Sequence, residues 1–164
     1  MANMINKDVK RLERIEKGFK SKDKRIIFTG MKPVLHFLTT LIVYAAFDLT
    51  YINLIAKKFI HKQVGWLLAP RPDLAAGALF YLIFSAGLLY FCVWPAQTGL
   101  RALLNGAFFG LVTYATYELV NKALLDRWPW QLVVADLAWG ILAGAVVSWV
   151  SWKVGFGLNN WFPE

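Results

Sequence analysis

Reactive side chains are scarce in this chain. A single cysteine, Cys92, leaves no internal disulfide and no Cys-rich metal cluster within one copy. The two histidines, His36 and His61, fall at opposite ends of the first apolar segment, which argues against a histidine-based metal or catalytic centre. No P-loop, GxGxxG dinucleotide fingerprint or HExxH motif occurs. Neither a Ser-His-Asp nor a Cys-His set can be assembled. These gaps predict no catalytic residue, no metal, no cofactor and no enzymatic activity. Charge is also scarce once the first 32 residues are passed. Met1 to Lys32 holds ten of the eighteen Lys and Arg, and the remaining 132 residues are sparsely charged.

What fills the chain is apolar. Its hydrophobic share is 58% and its mean hydropathy +0.47, beyond the range of an ordinary soluble domain. Four runs stand out, at about 34–56, 74–94, 100–124 and 131–152. A helix needs about 20 residues to cross the hydrocarbon core, and only helices or closed barrels satisfy their own backbone there. The runs lack the period-two alternation of barrel strands. They therefore predict an all-α membrane protein, an up-down-up-down bundle of four transmembrane helices. The expected organisation is an arm over 1–32, a transmembrane domain over 33–155 and a short tail over 156–164.

An N-terminus on the cytoplasmic (or matrix-equivalent) side places twelve basic residues inside and six outside, as the positive-inside rule prefers. The expected location is a bacterial inner membrane or an organellar one. Trp66, Trp94, Trp128, Trp130, Trp149, Trp152 and Trp161 fall near predicted boundaries and read as aromatic belts, with Trp139 the exception.

The first, third and fourth runs each carry a carboxylate: Asp48, Glu118 and Asp136. A charge at the centre of a membrane helix costs roughly 2.5–3.5 kcal/mol on insertion scales. An internal repeat orders these acids. Tyr44-Ala45-Ala46-Phe47-Asp48-Leu49 matches Tyr114-Ala115-Thr116-Tyr117-Glu118-Leu119 seventy positions later. Asp73-Leu74-Ala75-Ala76-Gly77-Ala78-Leu79 matches Asp136-Leu137-Ala138-Trp139-Gly140-Ile141-Leu142 sixty-three positions later. The chain then reads as a tandem repeat of two helical hairpins, with a pseudo-twofold axis along the membrane normal. That symmetry puts Asp48, Asp73, Glu118 and Asp136 in one leaflet, opposite the basic arm.

Tyr44 and Tyr51 flank Asp48 at helical spacing, Tyr114 and Asn121 flank Glu118, and Trp139 follows Asp136 by three. Phenol, amide and indole groups hydrogen-bond a carboxylate without adding charge. These eight residues, with Asp73, are the candidate site for a proton, a cation, an amine or a lipid headgroup. On the structural alternative, basic residues such as Lys122 neutralise acids that only hold helices in register.

Gly106 and Gly110, with Gly140, Gly144 and Ser148, form small-xxx-small patterns that predict close helix packing towards the other leaflet. In the arm, Ile5, Val9, Leu12, Ile15 and Phe19 keep helical spacing, while Lys7, Lys10, Arg11, Arg14 and Lys17 cover the other faces. This predicts a basic amphipathic helix on anionic lipids or on a partner. Expected partners are thus the bilayer, its anionic lipids, and partner membrane proteins or further copies of the chain, and not nucleic acid. Two function classes follow: a small carrier or binding protein using the acids, or a non-catalytic scaffold subunit docked through the arm.

The segments Phe47-Asp48-Leu49, Val64-Gly65-Trp66-Leu67-Leu68, Arg71-Pro72-Asp73-Leu74-Ala75-Ala76, Tyr114 to Leu119 and Asp136 to Gly140 resemble a family of small four-helix bacterial membrane proteins, known chiefly as a domain of unknown function. The resemblance runs from about Val34 to Trp152. It implies a membrane location and four spans, and supplies no catalytic residue. The arm looks like an addition to that pattern, and Glu118 stands where the family leads one to expect aspartate.

Overall fold

The computed structural model describes residues 32–161, so the amphipathic arm, with Lys7, Lys10, Arg11, Arg14 and Lys17, lies outside the described residues. The described residues form four helices: α1 (Lys32–Leu67), α2 (Leu74–Val93), α3 (Gly99–Leu124) and α4 (Trp130–Trp161). No strand occurs among the described residues.

Local chemistry sets the boundaries. Pro33, Pro95 and Pro129 stand at or beside helix starts and turns, where a missing N–H does no harm. Asp73 caps α2, its Oδ1 accepting from the amides of Ala75 at 2.9 Å and Ala76 at 3.1 Å. Thr98 caps α3 by accepting from the Arg101 amide. After α3, Arg127 adopts φ 63°, the left-handed region, and reverses the chain within the turn before Pro129.

Two boundaries differ from the sequence expectation. The stretch expected to loop after the first run remains helical, as Lys57–Val64 and a tighter turn over Gly65–Leu67, and it follows a π segment over Ile52–Ala56 at the end of that run. Its amphipathic spacing explains this. Phe59, Ile60 and Val64 pack against Trp128, Leu132 and Val133 at the start of α4, while Lys57, Lys58 and Lys62 face outward. Likewise α4 continues through the expected tail to Trp161.

Contacts run antiparallel between neighbouring helices. Asp48 meets Tyr81 while Tyr44 stacks on Phe84, joining α1 to α2. His36 reaches the Ser151 carbonyl while Asp48 meets Trp139, joining α1 to α4. An extensive interface joins α3 to α4. There a Cβ on Gly106 would land on the Gly144 carbonyl, and one on Gly110 would land on the Gly140 carbonyl. Gly140 faces the Tyr114 ring, and Gly144 lies against the backbone of Gly106. Only hydrogen at Cα permits this approach. Tyr44, Phe84, Leu88, Cys92, Ala143 and Val147 form the main core.

Among the described residues three helices are long and apolar enough to cross a membrane: Lys32–Leu67, Leu74–Val93 and Trp130–Gly157. The third, α3, is not among them, against the expectation of four. Arg101, Asn105, Glu118, Asn121 and Lys122 lower its mean hydropathy. Large apolar side chains nevertheless point outward on every helix, Ile42, Ile83, Phe108 and Val134 all being more than 60% exposed. An integral membrane protein accounts for such a surface.

Candidate functional site

Two carboxylates are driven into the bundle interior. Asp48, on α1, is 5% exposed, and Glu118, on α3, is fully buried. Asp136, on α4, is half-buried. The helix positions that carry them face the core because their neighbours do. Tyr44 one turn before Asp48 is fully buried, and Gly110 and Gly106 precede Glu118 at two and three turns.

Neutral donors hold Asp48. The Tyr81 hydroxyl, from α2, donates to Oδ2 at 2.8 Å, and the Trp139 indole, from α4, donates to Oδ1 at 3.0 Å. One carboxylate thereby ties three helices. Trp139 is itself fixed between rings, stacking on Tyr51 at 3.6 Å and on Phe47 at 5.1 Å. Glu118 accepts from the Trp128 indole at 2.8 Å through Oε2, while Oε1 has no donor. The Asp136 carboxyl lies within hydrogen-bonding range of Glu118 and within electrostatic reach of Asp48. Two ionised carboxylates repel at such range. One proton between them converts the contact into a hydrogen bond and gives Glu118 the donor it otherwise lacks.

Among the described residues no basic side chain pairs with these acids. Among the described residues the salt bridge formed is Arg127 with its neighbour Asp126, both exposed. Lys122, which the structural alternative pairs with Glu118, turns away. Its Nζ donates to the Trp128 carbonyl at 2.6 Å and lies 5.6 Å from the Trp130 ring. It thus pins the turn that carries Trp128. Among the described residues no three of His, Cys, Asp and Glu come together as a metal set.

The remaining candidates divide. Tyr44 and Tyr114 meet hydroxyl to hydroxyl at 3.4 Å beneath the acids. Tyr51 serves through its ring, on Trp139. Asn121 makes no hydrogen bond to the Glu118 carboxylate, whose Oε2 accepts from Trp128 and whose Oε1 has no partner. Asp73 stands apart from the cluster. It is exposed, and its carboxylate is used as a helix cap. Gly106, Gly110, Gly140, Gly144 and Ser148 lie in the α3–α4 seam.

Two partners escaped the sequence reading. Trp128 passes there for a belt residue, yet it is 5% exposed and donates to Glu118. Its only sequence signal is a polar aromatic ten residues after the acid, beyond a turn. Tyr81 has none, lying 33 residues from Asp48 in an apolar run.

A family model described as predicted membrane protein (DUF2177) matches residues 33–153, from the start of α1 almost to the end of α4. No curated protein and no solved structure matches the chain.

Proposed function

The chain belongs to the family of predicted membrane proteins DUF2177, and we propose that within the bilayer it binds and releases a proton at its buried carboxyl cluster. The observation that carries this reading is the contact between Glu118 and Asp136, made beside neutral indole donors with no basic residue paired to either among the described residues. Buried intramembrane acids pair with basic groups, with polar donors or with one another, and two acids that meet need a proton between them. Here charge balance falls to a proton. Glu118 and Asp136 share it, Trp128 fixes Glu118, and Asp48, bonded to Tyr81 and Trp139, stands nearby. The role is that of a small proton-binding carrier and not of an enzyme. The scaffold alternative rests on the arm, outside the described residues, and gains no observation.

Four spans complete the proposal. The polar residues that lower the hydropathy of α3 include the buried Glu118, whereas Leu100, Leu104, Phe108 and Val112 line its outer face. A helix that is polar towards its neighbours and apolar outward suits lipid. In an up-down-up-down bundle the acids occupy the half away from Lys32, Arg101 and Lys153, and that basic end faces the cytoplasm. The hydroxyl contact between Tyr44 and Tyr114, residues 70 apart, supports a pseudo-twofold axis relating α1 to α3.

Infrared spectroscopy of the purified full-length protein tests the shared proton. A carbonyl stretch of a protonated carboxylic acid, shifted in heavy water, is expected at neutral pH. It should vanish in Glu118→Gln and in Asp136→Asn, and persist in Asp48→Asn. Absence of the band from the wild type, or its survival in both pair variants, refutes the reading.

A further inference from the structure

The helix α1 is longer than the hydrocarbon core is thick. From residue 34 to residue 56 it rises about 33 Å, enough to cross that core, so Lys57 is the first residue past it. The exposed side chains change character at this level. Leu54 and Ile55 are exposed and suit acyl chains, and Lys57, Lys58, His61 and Lys62 follow, all of them exposed.

The two turns Lys57–Val64 divide by charge. At about 100° per residue, Lys57, His61, Lys58 and Lys62 fall within one arc of about 140°. Phe59, Ile60, Gln63 and Val64 fill the opposite arc, and its apolar members pack against Trp128, Leu132 and Val133. That packing seats the helix and turns its basic face away from the bundle. Among the described residues no acid answers the three lysines. The segment itself holds no Asp or Glu, Asp126 pairs with Arg127, and Asp73 caps α2.

Two further observations say what covers this face. With the basic arm in the cytoplasm, these lysines are three of the six basic residues on the other side, gathered within six positions against the positive-inside preference. A partner for them on that side offsets the preference. Directly after them the chain exposes Trp66, Leu67 and Leu68. Free phosphate answers the lysines and leaves these three side chains to water. An acidic protein would need an apolar ledge at the same spacing. A phospholipid layer has phosphates and hydrocarbon side by side, at the depth where α1 leaves the core.

We propose that the face formed by Lys57, Lys58, His61 and Lys62 docks anionic phospholipid headgroups at the end of the bundle that carries the acids. The lysine ammonium groups donate to phosphate oxygens, the His61 ring adds an N–H donor, and Trp66 anchors the turn beside them. This surface is separate from the arm, which the sequence assigns to the opposite side. It stands whether or not Glu118 and Asp136 share a proton. The two meet at one residue: the far face of the same helix packs on Trp128, whose indole donates to Glu118.

Native mass spectrometry of the full-length protein in mild detergent tests the surface, by titration with phosphatidylglycerol or with phosphatidylcholine of the same acyl chains. The background carries Lys7→Gln, Lys10→Gln, Arg11→Gln, Arg14→Gln and Lys17→Gln, so that the arm does not mask a loss elsewhere. In this background phosphatidylglycerol should bind more tightly than phosphatidylcholine. Adding Lys57→Gln, Lys58→Gln and Lys62→Gln together should weaken phosphatidylglycerol by about tenfold or more and leave phosphatidylcholine unchanged. Arginine at the same three positions should keep the binding. If the triple glutamine variant does not fold, Lys58→Gln and Lys62→Gln decide singly, each expected to lose about three- to fivefold. Equal binding of the two lipids overturns the surface and leaves the face to an acidic protein. Undiminished phosphatidylglycerol binding by the glutamine variants overturns it too, as does displacement of the lipid by millimolar inorganic phosphate.

Discussion

Asp48 is a carboxylate almost out of water whose two oxygens each receive one neutral hydrogen bond, from different helices. Removing one donor leaves an oxygen buried and unsatisfied, at about 1–3 kcal/mol. Trp139→Phe retains an aromatic ring against Tyr51 and Phe47 and isolates that loss. Tyr81→Phe does the same for the second oxygen. Each should lower the thermal unfolding midpoint in mild detergent, and the double variant should lose more than the sum, since the carboxylate then has no donor. Strict additivity would mean that the two donors act independently of the charge they share. At this scale the acids were legible and their partners only partly so. An acid within an apolar run marks itself, and Tyr44, Tyr51 and Trp139 follow from helical spacing. Tyr81 and Trp128 do not, because spacing within one helix carries no information on which neighbouring helix faces it.

The seam between α3 and α4 shows what an element-level pattern conveys. Glycines four apart on each helix are readable as a groove, and the groove is occupied by the backbone of the facing helix. Gly110→Ala should therefore destabilise by about 1–3 kcal/mol or more, because the new methyl meets the Gly140 carbonyl and backbone must shift. Gly77→Ala is the control. Nothing lies within 4 Å of its would-be Cβ, and replacing this glycine at the end of the first turn of α2 should stabilise by up to about 0.5–1 kcal/mol. Opposite signs in one unfolding assay test the packing role, and equal losses would refute it. The extension of α1 past Ala56 was hidden for a different reason. Hydropathy averaged over Lys57–Val64 is low, while the decisive fact is that Phe59, Ile60 and Val64 share a face. The π segments over Ile52–Ala56 and Leu88–Val93 have no counterpart in the apolar pattern, since an inserted residue changes the register of a face and not its composition.

For the molecule as a whole, hydropathy and packing disagree about α3, and the proposed four-span arrangement turns on that helix. Average apolarity leaves it out of the candidate spans, because one face holds Glu118 and its ends hold Arg101 and Lys122. Packing argues otherwise. The buried face of α3 is closed off by α4 through the glycine seam, and its outward face repeats Leu100, Leu104, Phe108 and Val112 at intervals of one turn. A helix lying outside the bilayer would expose that stripe to water. The two alternatives place the ends of α3 differently. If α3 crosses, Gln97 before it and Asp126 after it face opposite sides of the membrane; if it does not, both face the same side. Both residues are exposed, and Cys92 is buried, so single cysteines can be introduced by Gln97→Cys and Asp126→Cys in a Cys92→Ala background. A membrane-impermeant maleimide added to intact spheroplasts should label Asp126→Cys and spare Gln97→Cys until the membrane is opened. Labelling of both from one side would remove α3 from the membrane. It would also place the Glu118–Asp136 pair where bulk water supplies its protons directly.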